Sequence, residues 1–306
     1  SIDEVTEDDI VIIPAFGNTV QELAELQKKG CVLVDATCGS VMSVWKRVES
    51  YSRESFTSVI HGKYDHEETR ATSSRATQYS GGRYIVVRDK HQTQWICDYI
   101  EKGGDAKEFL KRFECRGDSA SRPYSQGFDP DKDLERIGCA NQTTMLSSDS
   151  LEIANMLQEA IRRRWGHREL PGRFRHFDTI CSATQDRQDA VLKLAREGLD
   201  VMIVVGGYNS SNTGHLVEIS LEFCPAYHVK DASCILSVDE IEHKPVSETA
   251  LVRTRNWLAQ GKVRIGVTAG ASTPNRVIEE VIDRIVEVGG DGPKSTGLQA
   301  IRPIKE

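Results

Sequence analysis

The sequence predicts an α/β fold with parallel sheets. Short runs rich in β-branched apolar residues alternate with amphipathic helical stretches along most of the chain. The run at residues 201–205 is apolar at every position, which is typical of a strand that is covered on both faces. A length of 306 residues, 39% of them hydrophobic, suits two or three domains of this class.

Each predicted element follows from its local pattern. Apolar runs that end in a small or polar loop predict strands within residues 9–17, 31–38, 56–62, 83–87, 201–206 and 263–268. Apolar residues at helical spacing predict helices over residues 20–30, 41–51, 150–165 and 187–197, with a last helix beginning at Pro274. Residues 114–136 show no sustained period, so we expect a long surface loop there, and we expect an extended polar tail after Gly289.

The charge balance argues against nucleic-acid binding. Lysine plus arginine is 39 and aspartate plus glutamate is 46, which gives a formal net charge of −7, whereas nucleic-acid binders usually carry a basic surplus. No apolar run approaches the roughly 18 residues of a membrane-spanning helix. The acidic first residues lack the pattern of a signal peptide. We therefore expect no membrane partner and a cytoplasmic location.

Two of the eight cysteines occupy positions that suit a metal ligand or a nucleophile. Cys38 and Cys181 each end a strand-like run and precede a helical stretch, and the start of a helix stabilises a thiolate. Such a thiolate can be a metal ligand or a nucleophile, and iron–sulfur clusters use thiolates that are distant in sequence. No C-x-x-C pair occurs, and we expect the other six cysteines to be buried structural thiols.

The stretch His66-Glu67-Glu68 begins a predicted helix after the third strand. A histidine beside a carboxylate can relay a proton, whereas the zinc-protease pattern H-E-x-x-H fails because position 70 is Arg70. The alternative interpretation is helix capping, with Asp65 as the N-cap and Glu68 three residues later in a capping box. The local sequence favours capping, and both interpretations can hold.

Two loops indicate an anion site. Residues 209–212 follow the most apolar strand and residues 269–274 follow the last strand, and both loops are rich in hydroxyl and amide side chains. With the N–H groups of a helix start, such side chains bind anions without a fixed charge. Neither loop matches the P-loop or the dinucleotide fingerprint, and each alone could be an ordinary N-cap. Beside two candidate thiolates, they indicate a phosphorylated ligand near a redox or metal centre.

Six stretches of the sequence together resemble one enzyme family. They cover residues 34–38, 60–69, 140–145, 178–188, 204–213 and 267–274, in family order. The chain resembles the 4-hydroxy-3-methylbut-2-enyl diphosphate reductase (IspH/LytB) family of the non-mevalonate isoprenoid pathway. Residues 128–134 look most like its branch found in cyanobacteria, plants and some other bacteria. This resemblance implies a cytoplasmic location in a bacterium, or a plastid location if the source is a plant.

The resemblance implies a trefoil of three α/β domains with small parallel sheets around a central [4Fe–4S] cluster. It assigns residues 1–38 to the remainder of the first domain, 39–178 to the second domain with the inserted loop 114–136, 179–290 to the third, and 291–306 to a tail. The family's first cluster cysteine lies in a Gly-Phe-Cys-like motif that this sequence does not contain. We therefore expect an incomplete first domain and weak cluster binding by this chain alone.

The resemblance also implies site residues. Two of the three cluster ligands correspond to Cys38 and Cys181. The residues implied to act at the substrate hydroxyl are Glu68, which delivers a proton, His66 and Thr143. The residues implied to hold the diphosphate are Ser210, Ser211, Asn212 and Ser272.

The implied reaction is a two-electron, two-proton reduction that removes the substrate hydroxyl as water. Its products are isopentenyl and dimethylallyl diphosphate, and the open iron of the cluster would act as a Lewis acid on the oxygen. Electrons are expected from a separate donor such as ferredoxin or flavodoxin. Many family members have a histidine where this chain has Phe16, whose ring can neither donate a hydrogen bond nor carry a proton.

Two other functions stay open at this point. The missing cysteine allows a cluster-free family relative or fragment that binds a diphosphate or another anion without catalysis. A cysteine-nucleophile enzyme, with Cys38 paired to His61 or His66, would need no iron.

Overall fold

A computed structural model describes residues 2–113, 122–176, 181–246, 248–259 and 261–290. The chain divides into two compact units, Ser1–Cys181 and Ser182–Glu306. The predicted tail lies outside the described residues, as do residues 114–121 of the predicted loop and the predicted domain boundary at residues 178 and 179. The division into three domains therefore stays a prediction.

The first unit alternates strands and helices. Its described strands are β1 (Ile10–Ile13), β2 (Val32–Asp35), β3 (Thr57–His61), β4 (Arg83–Val87), β5 (Ile137–Asn141) and β6 (Phe174–His176). Its described helices are α1 (Val20–Lys29), α2 (Gly39–Arg53), α3 (Glu67–Ala76), α4 (Lys90–Lys102), α5 (Ala106–Lys111), α6 (Pro130–Asp133), α7 (Ser147–Trp165) and α8 (Leu170–Arg173).

The second unit has the same alternation and adds a hairpin. Its described strands are β7 (Val201–Val205), β8 (Ala226–Val229), β9 (Glu240–His243), β10 (Val252–Arg255) and β11 (Ile265–Ala269). Its described helices are α9 (Ser182–Ala195), α10 (Ser211–Leu221) and α11 (Asn275–Gly290). Across the described parts of both units, we find no helix with the length and apolar character that a membrane crossing requires.

Three small sheets are parallel, as the sequence predicts. Their strand orders are β1-β2, β4-β3-β5-β6 and β11-β7-β8. The β9–β10 pair is antiparallel and does not follow from the strand pattern of the sequence. Every residue of β3, β5 and β7 is buried, in agreement with the rule that a parallel sheet is covered on both faces.

The sheet register places loops side by side. His61 at the end of β3 pairs with Asn141 at the end of β5, so the loops that follow these strands leave the same edge of the sheet. In the second unit Val205 pairs with Ala269 in the same way. Each unit therefore gathers two of the loops that carry predicted site residues at the carboxyl ends of its strands, where ligands bind in open α/β sheets.

The β1–β2 sheet is covered on one face only within the described residues. Val11, Ile13 and Leu33 pack toward Leu26 of α1. The side chains of the other face are exposed: Ile10, Ile12, Val32 and Val34. This sheet thus differs from the other two parallel sheets, whose central strands are buried on both faces.

The described part of the predicted surface loop is less exposed than expected. Pro130–Asp133 forms a short helix capped by the Asp129 side chain, and Tyr124 forms a bridge with Ile85 of β4. Phe128 and Leu134 are buried in the main core of the first unit. The prediction of a surface loop is corrected for this part, because its apolar side chains cover the sheet without a regular period.

A glycine in β5 allows α2 to lie close to the sheet. A Cβ atom added at Gly138 would be 2.6 Å from the ring of Tyr51, which is buried and belongs to α2. The Tyr51 hydroxyl donates a hydrogen bond to the carbonyl oxygen of Cys139 at 2.9 Å. The ring and its hydrogen bond therefore leave no room for a side chain at position 138.

We expect Gly138→Ala to lower the free energy of unfolding by about 1–3 kcal/mol, because the added methyl group overpacks this contact. Gly172→Ala is the matched control, since a Cβ atom at Gly172 meets nothing within 4 Å. Chemical denaturation of both variants measures the effect. Equal stability of the two variants would contradict the proposed contact.

Candidate active site

The loops after β3 and β5 bring Glu68 and Thr143 into contact. Glu68 is the second residue of α3 and is only 3% exposed. The N–H of Thr143 donates to Oε1 of Glu68 at 2.5 Å, and its hydroxyl donates to Oε2 at 3.1 Å. Both carboxyl oxygens thus accept hydrogen bonds from one residue, which holds the carboxyl group in one orientation.

The environment of Glu68 favours its protonated form. Burial raises the pKa of Glu68 to about 7, while the hydrogen bonds from Thr143 act in the opposite direction. Near neutral pH the carboxyl group is therefore present in both protonation states. A group whose pKa lies near the working pH is suited to general acid–base catalysis.

His66, and not Asp65, is the N-cap of α3. Nδ1 of His66 accepts a hydrogen bond from the N–H of Glu68 at 3.2 Å. An accepting Nδ1 carries no proton, so the neutral ring has its proton on Nε2. The predicted capping box at Asp65 is wrong, because the histidine side chain takes the capping position one residue later.

The surroundings of His66 favour the neutral ring. Burial lowers the pKa of His66, and the positive charge of Lys63 acts in the same direction. The ring of Phe16 lies edge-on to the imidazole, with centroids 6.4 Å apart and planes at 72°. Protonation of Nδ1 would remove the acceptor of the N-cap, so the cap and the neutral state of His66 support each other.

Gln142 joins the two loops and was not predicted as a site residue. Its Oε1 accepts hydrogen bonds from the N–H of Lys63 and the hydroxyl of Thr69, each at 3.2 Å. Its Nε2 donates to the hydroxyl of Thr144 at 2.7 Å. Gln142 is 1% exposed and directly precedes Thr143. The only sequence signal for it was its place in the stretch that follows β5.

His61 is held inside the first unit. Its Nδ1 lies 2.8 Å from the hydroxyl oxygen of Ser150, and the residue is buried. Cys38, in contrast, is exposed. The structure therefore gives no support to a nucleophile pair formed by Cys38 and His61.

The two predicted cluster ligands differ from the other cysteines in exposure. Cys38 is the exposed N-cap of α2, and Cys181 is partly exposed directly before α9. The other described cysteines are buried, as predicted: Cys31, Cys97, Cys139, Cys224 and Cys234. Burial raises the pKa of Cys97 to about 12 and also raises that of Cys139. Cys115 lies outside the described residues.

The accessible thiols fit thiolate ligands better than the buried ones do. A thiol in apolar surroundings resists the ionisation that metal binding requires, whereas an accessible thiol can be reached by iron. In the part of the chain that the structure describes, no three histidine, cysteine, aspartate or glutamate side chains are grouped to hold a metal ion. Cys38 and Cys181 would therefore supply only part of a ligand set.

In the second unit, the start of α10 carries unpaired polar atoms. Ser210 is the N-cap, and its hydroxyl oxygen accepts a hydrogen bond from the N–H of Thr213 at 3.2 Å. Asn212 is 4% exposed, yet neither atom of its amide has a hydrogen-bond partner among the described residues. A buried amide without partners costs free energy, so this position is suited to a ligand that would satisfy it. Ser211 is the first residue of α10, between these two.

The loops after β7 and β11 meet at Thr213. A Cβ atom added at Gly206 would be 2.7 Å from Oγ1 of Thr213, and one added at Gly270 would be 2.2 Å from the same atom. The hydroxyl of Thr273 donates to the carbonyl oxygen of Val205 at 3.2 Å. The exposed Ser272 directly precedes Thr273, so the structure brings its loop beside the start of α10.

The predicted site residues thus fall into two described groups. The first unit brings together His66, Glu68 and Thr143. The second unit brings the loop of Ser272 to the helix start formed by Ser210, Ser211 and Asn212. Each group lies at the carboxyl ends of parallel strands in its own unit.

The sequence model of the LytB protein family matches residues 1–286 of the chain. The chain belongs to the LytB family. This finding confirms the family resemblance predicted from the six sequence stretches.

Cyanobacterial relatives of this LytB-family chain carry the name 4-hydroxy-3-methylbut-2-enyl diphosphate reductase. The relative from Gloeobacter violaceus is 50% identical over 291 residues, which cover 95% of this chain and 67% of the relative. The relative from Microcystis aeruginosa is 49% identical over 278 residues, which cover 90% of this chain and 66% of the relative. The chain therefore spans about two thirds of the length of these curated relatives.

Two solved structures share the fold of this LytB-family chain. One is (E)-4-hydroxy-3-methyl-but-2-enyl diphosphate reductase, the terminal enzyme of the non-mevalonate pathway, with a TM-score of 0.51 and 30% identity over 94% of this chain and 79% of that one. The other is the E-1-hydroxy-2-methyl-but-2-enyl-4-diphosphate reductase from Plasmodium falciparum. Its TM-score is 0.63 at 20% identity, and the match covers 94% of this chain and 70% of that one. The predicted α/β fold class is confirmed.

Burial of Glu68 makes the free energy of unfolding depend on pH. The pKa of this carboxyl is raised on folding, so its ionisation costs no stability below the ordinary value of 4.5 and costs the most above about 7. Glu68→Gln removes this equilibrium. We therefore expect the variant to gain stability relative to the parent as the pH rises from about 5 to about 8.

Chemical denaturation at a series of pH values measures this difference. Glu67→Gln is the matched control, because Glu67 is the exposed neighbour of Glu68 in the same helix. A stability difference between Glu68→Gln and the parent that stays constant over this pH range would contradict the raised pKa.

Gln142→Met keeps the approximate size of the side chain and removes the hydrogen bonds to Lys63, Thr69 and Thr144. Because the partly buried N–H of Lys63 and the buried hydroxyl of Thr69 lose their acceptor, we expect the free energy of unfolding to fall by about 1–3 kcal/mol. Gln78→Met, at an exposed glutamine after α3, should change it by less than about 0.5 kcal/mol. Denaturation curves of the two variants that coincide would show that Gln142 does not join the loops.

Proposed function

We propose that this LytB-family chain carries the reaction named for its relatives, the reduction of 4-hydroxy-3-methylbut-2-enyl diphosphate. In this reaction two electrons and two protons remove the hydroxyl group as water and leave isopentenyl or dimethylallyl diphosphate. The observation that carries the proposal is the buried Glu68, with a pKa of about 7 and both oxygens bonded to Thr143.

Glu68 is the proposed proton donor. The departing hydroxyl group must gain a proton to leave as water, and a carboxyl group that is partly protonated near neutral pH can supply it. Thr143 holds the carboxyl group, and its hydroxyl is the proposed contact to the substrate hydroxyl. The neutral His66, with its proton on Nε2, is a further donor at the same loop.

The start of α10 is the proposed diphosphate site. Ser210, Ser211 and Asn212 supply hydroxyl and amide groups at a helix N-terminus, where the helix dipole favours an anion. The unpaired amide of Asn212 supports this assignment, because a diphosphate oxygen would accept from its Nδ2. Ser272 would add a hydroxyl group from the neighbouring loop.

Cys38 and Cys181 are the proposed thiolate ligands of an iron–sulfur cluster of the [4Fe–4S] type. Such a cluster would pass the two electrons of an external donor to the substrate, one at a time, and would offer a Lewis-acidic iron to the substrate oxygen. A separate protein such as a ferredoxin or flavodoxin is the proposed electron donor. The protein residues would bind the substrate, exclude water and hold the proton.

A second candidate function is diphosphate binding without reduction. One observation favours it: the buried amide of Asn212 at the start of α10 has no partner among the described residues, and an anion alone would satisfy it. This function would require the diphosphate site and would not require Glu68.

Anaerobic reconstitution with iron and sulfide, followed by reduction of the substrate with dithionite and a viologen, tests the proposed reaction. We expect Cys38→Ser and Cys181→Ser to lose bound iron. Cys31→Ser, at a buried cysteine, should retain it. We expect Glu68→Gln to keep its iron and lose at least about a hundredfold in turnover, since it has lost its proton donor.

The two functions predict different results. Turnover that depends on Glu68 and iron supports the reductase. If the parent chain binds diphosphate but neither binds iron nor turns over substrate, the reductase proposal is wrong for this chain and the binding function stands.

A further inference from the structure

Two side chains bind backbone carbonyl groups of the loop between β7 and α10. Nε2 of His228 lies 3.0 Å from the carbonyl oxygen of Gly206, and Nζ of Lys244 donates to the carbonyl oxygen of Tyr208 at 2.9 Å. A carbonyl oxygen can only accept a hydrogen bond, so Nε2 of His228 carries a proton. This loop leads directly to Ser210, the N-cap of α10.

The same two residues are connected to each other and to Tyr208. The backbone N–H of Lys244 donates to the carbonyl oxygen of His228 at 3.0 Å. The Tyr208 ring packs edge-on against His228, with centroids 5.1 Å apart, and its hydroxyl lies 3.2 Å from Sγ of Cys234. The loop is therefore attached to β8 and to the residue after β9 through both its backbone and its side chain.

Lys244 also brings a positive charge to a part of the second unit whose proposed ligands are neutral. Ser210, Asn212 and Ser272 carry no charge, so they cannot by themselves balance a diphosphate. Lys244 is partly buried, and among the described residues no carboxylate forms an ion pair with its ammonium group. A partly buried charge is screened less by water and salt than an exposed one, so it acts more strongly on a nearby anion.

We propose that Lys244 is a positioning residue for the diphosphate site, with His228 as a second, neutral one. By binding the carbonyl oxygens of Tyr208 and Gly206, the two residues hold the backbone of the loop that leads to Ser210 and keep the negative ends of these two peptide dipoles occupied. The charge of Lys244, bound two residues before Ser210, adds attraction for the anion. The inference rests on the proposed function, because it takes Ser210 and Asn212 as diphosphate ligands.

Calorimetric titration of the 306-residue chain with inorganic diphosphate tests this role without iron or turnover. Lys244→Met keeps the length of the side chain and removes its charge and its donor, so we expect the affinity to fall about tenfold. Lys244→Arg keeps both and should stay within about threefold of the parent. Lys262→Met removes an exposed lysine before β11, at the opposite end of that strand, and should leave the affinity unchanged.

Salt dependence separates the charge from a merely structural effect. The affinity of the parent should fall more steeply with rising salt than that of Lys244→Met, because one screened attraction is missing in the variant. If Lys244→Met fails to fold by circular dichroism, His228→Leu and His228→Gln take its place. The glutamine keeps an N–H donor, so it should bind diphosphate more tightly than the leucine does.

Asn212→Ala distinguishes failure of this inference from failure of the proposed function. If the parent binds diphosphate and Asn212→Ala does not, but Lys244→Met binds like the parent with the same salt dependence, the positioning role is wrong and the diphosphate site stands. If the parent does not bind, or Asn212→Ala binds equally well, the diphosphate site and the positioning role are both wrong.

Discussion

The proposed proton-donor site of the first unit depends on the burial of one ionisable carboxyl group, that of Glu68. Removing Glu68 from water disfavours its charged form, and the hydrogen bonds from Thr143 offset part of that cost. Both bonds come from the loop after β5, so they exist only because β3 and β5 are parallel neighbours in this register. The sheet register therefore places the two donors that lower the pKa of a carboxyl group lying in neither strand, while burial raises that pKa.

In the second unit a buried polar side chain is left without a hydrogen-bond partner among the described residues. This side chain is the amide of Asn212, and its lack of a partner leaves a cost that a bound anion can remove. Gly206 and Gly270 allow two loops to approach Thr213 at this point. Glu68 is satisfied within the protein and tuned in pKa, whereas Asn212 is left unsatisfied. The first arrangement suits proton transfer and the second suits ligand binding.

In both units a side chain from one segment binds a backbone group of another segment and holds that backbone in place. Gln142 binds the N–H of Lys63 in the loop before α3, and Lys244 binds the carbonyl of Tyr208 in the loop before α10. Neither side chain is a proposed substrate contact. The loops that carry the proposed site residues are thus held by groups whose importance depends on tertiary contact alone.

The sequence by itself determined the alternation of strands and helices, the parallel sheets and the loops that carry Glu68, Thr143 and Asn212, because periodicity and residue type are local properties. It predicted Asp65 as the N-cap of α3, whereas His66 takes that position, because the backbone path decides which side chain reaches the free N–H groups. The aperiodic segment with Phe128 was likewise unpredictable as core. The pKa of Glu68 was decided by tertiary structure, because its partner Thr143 is 75 residues away and burial is a property of the folded chain.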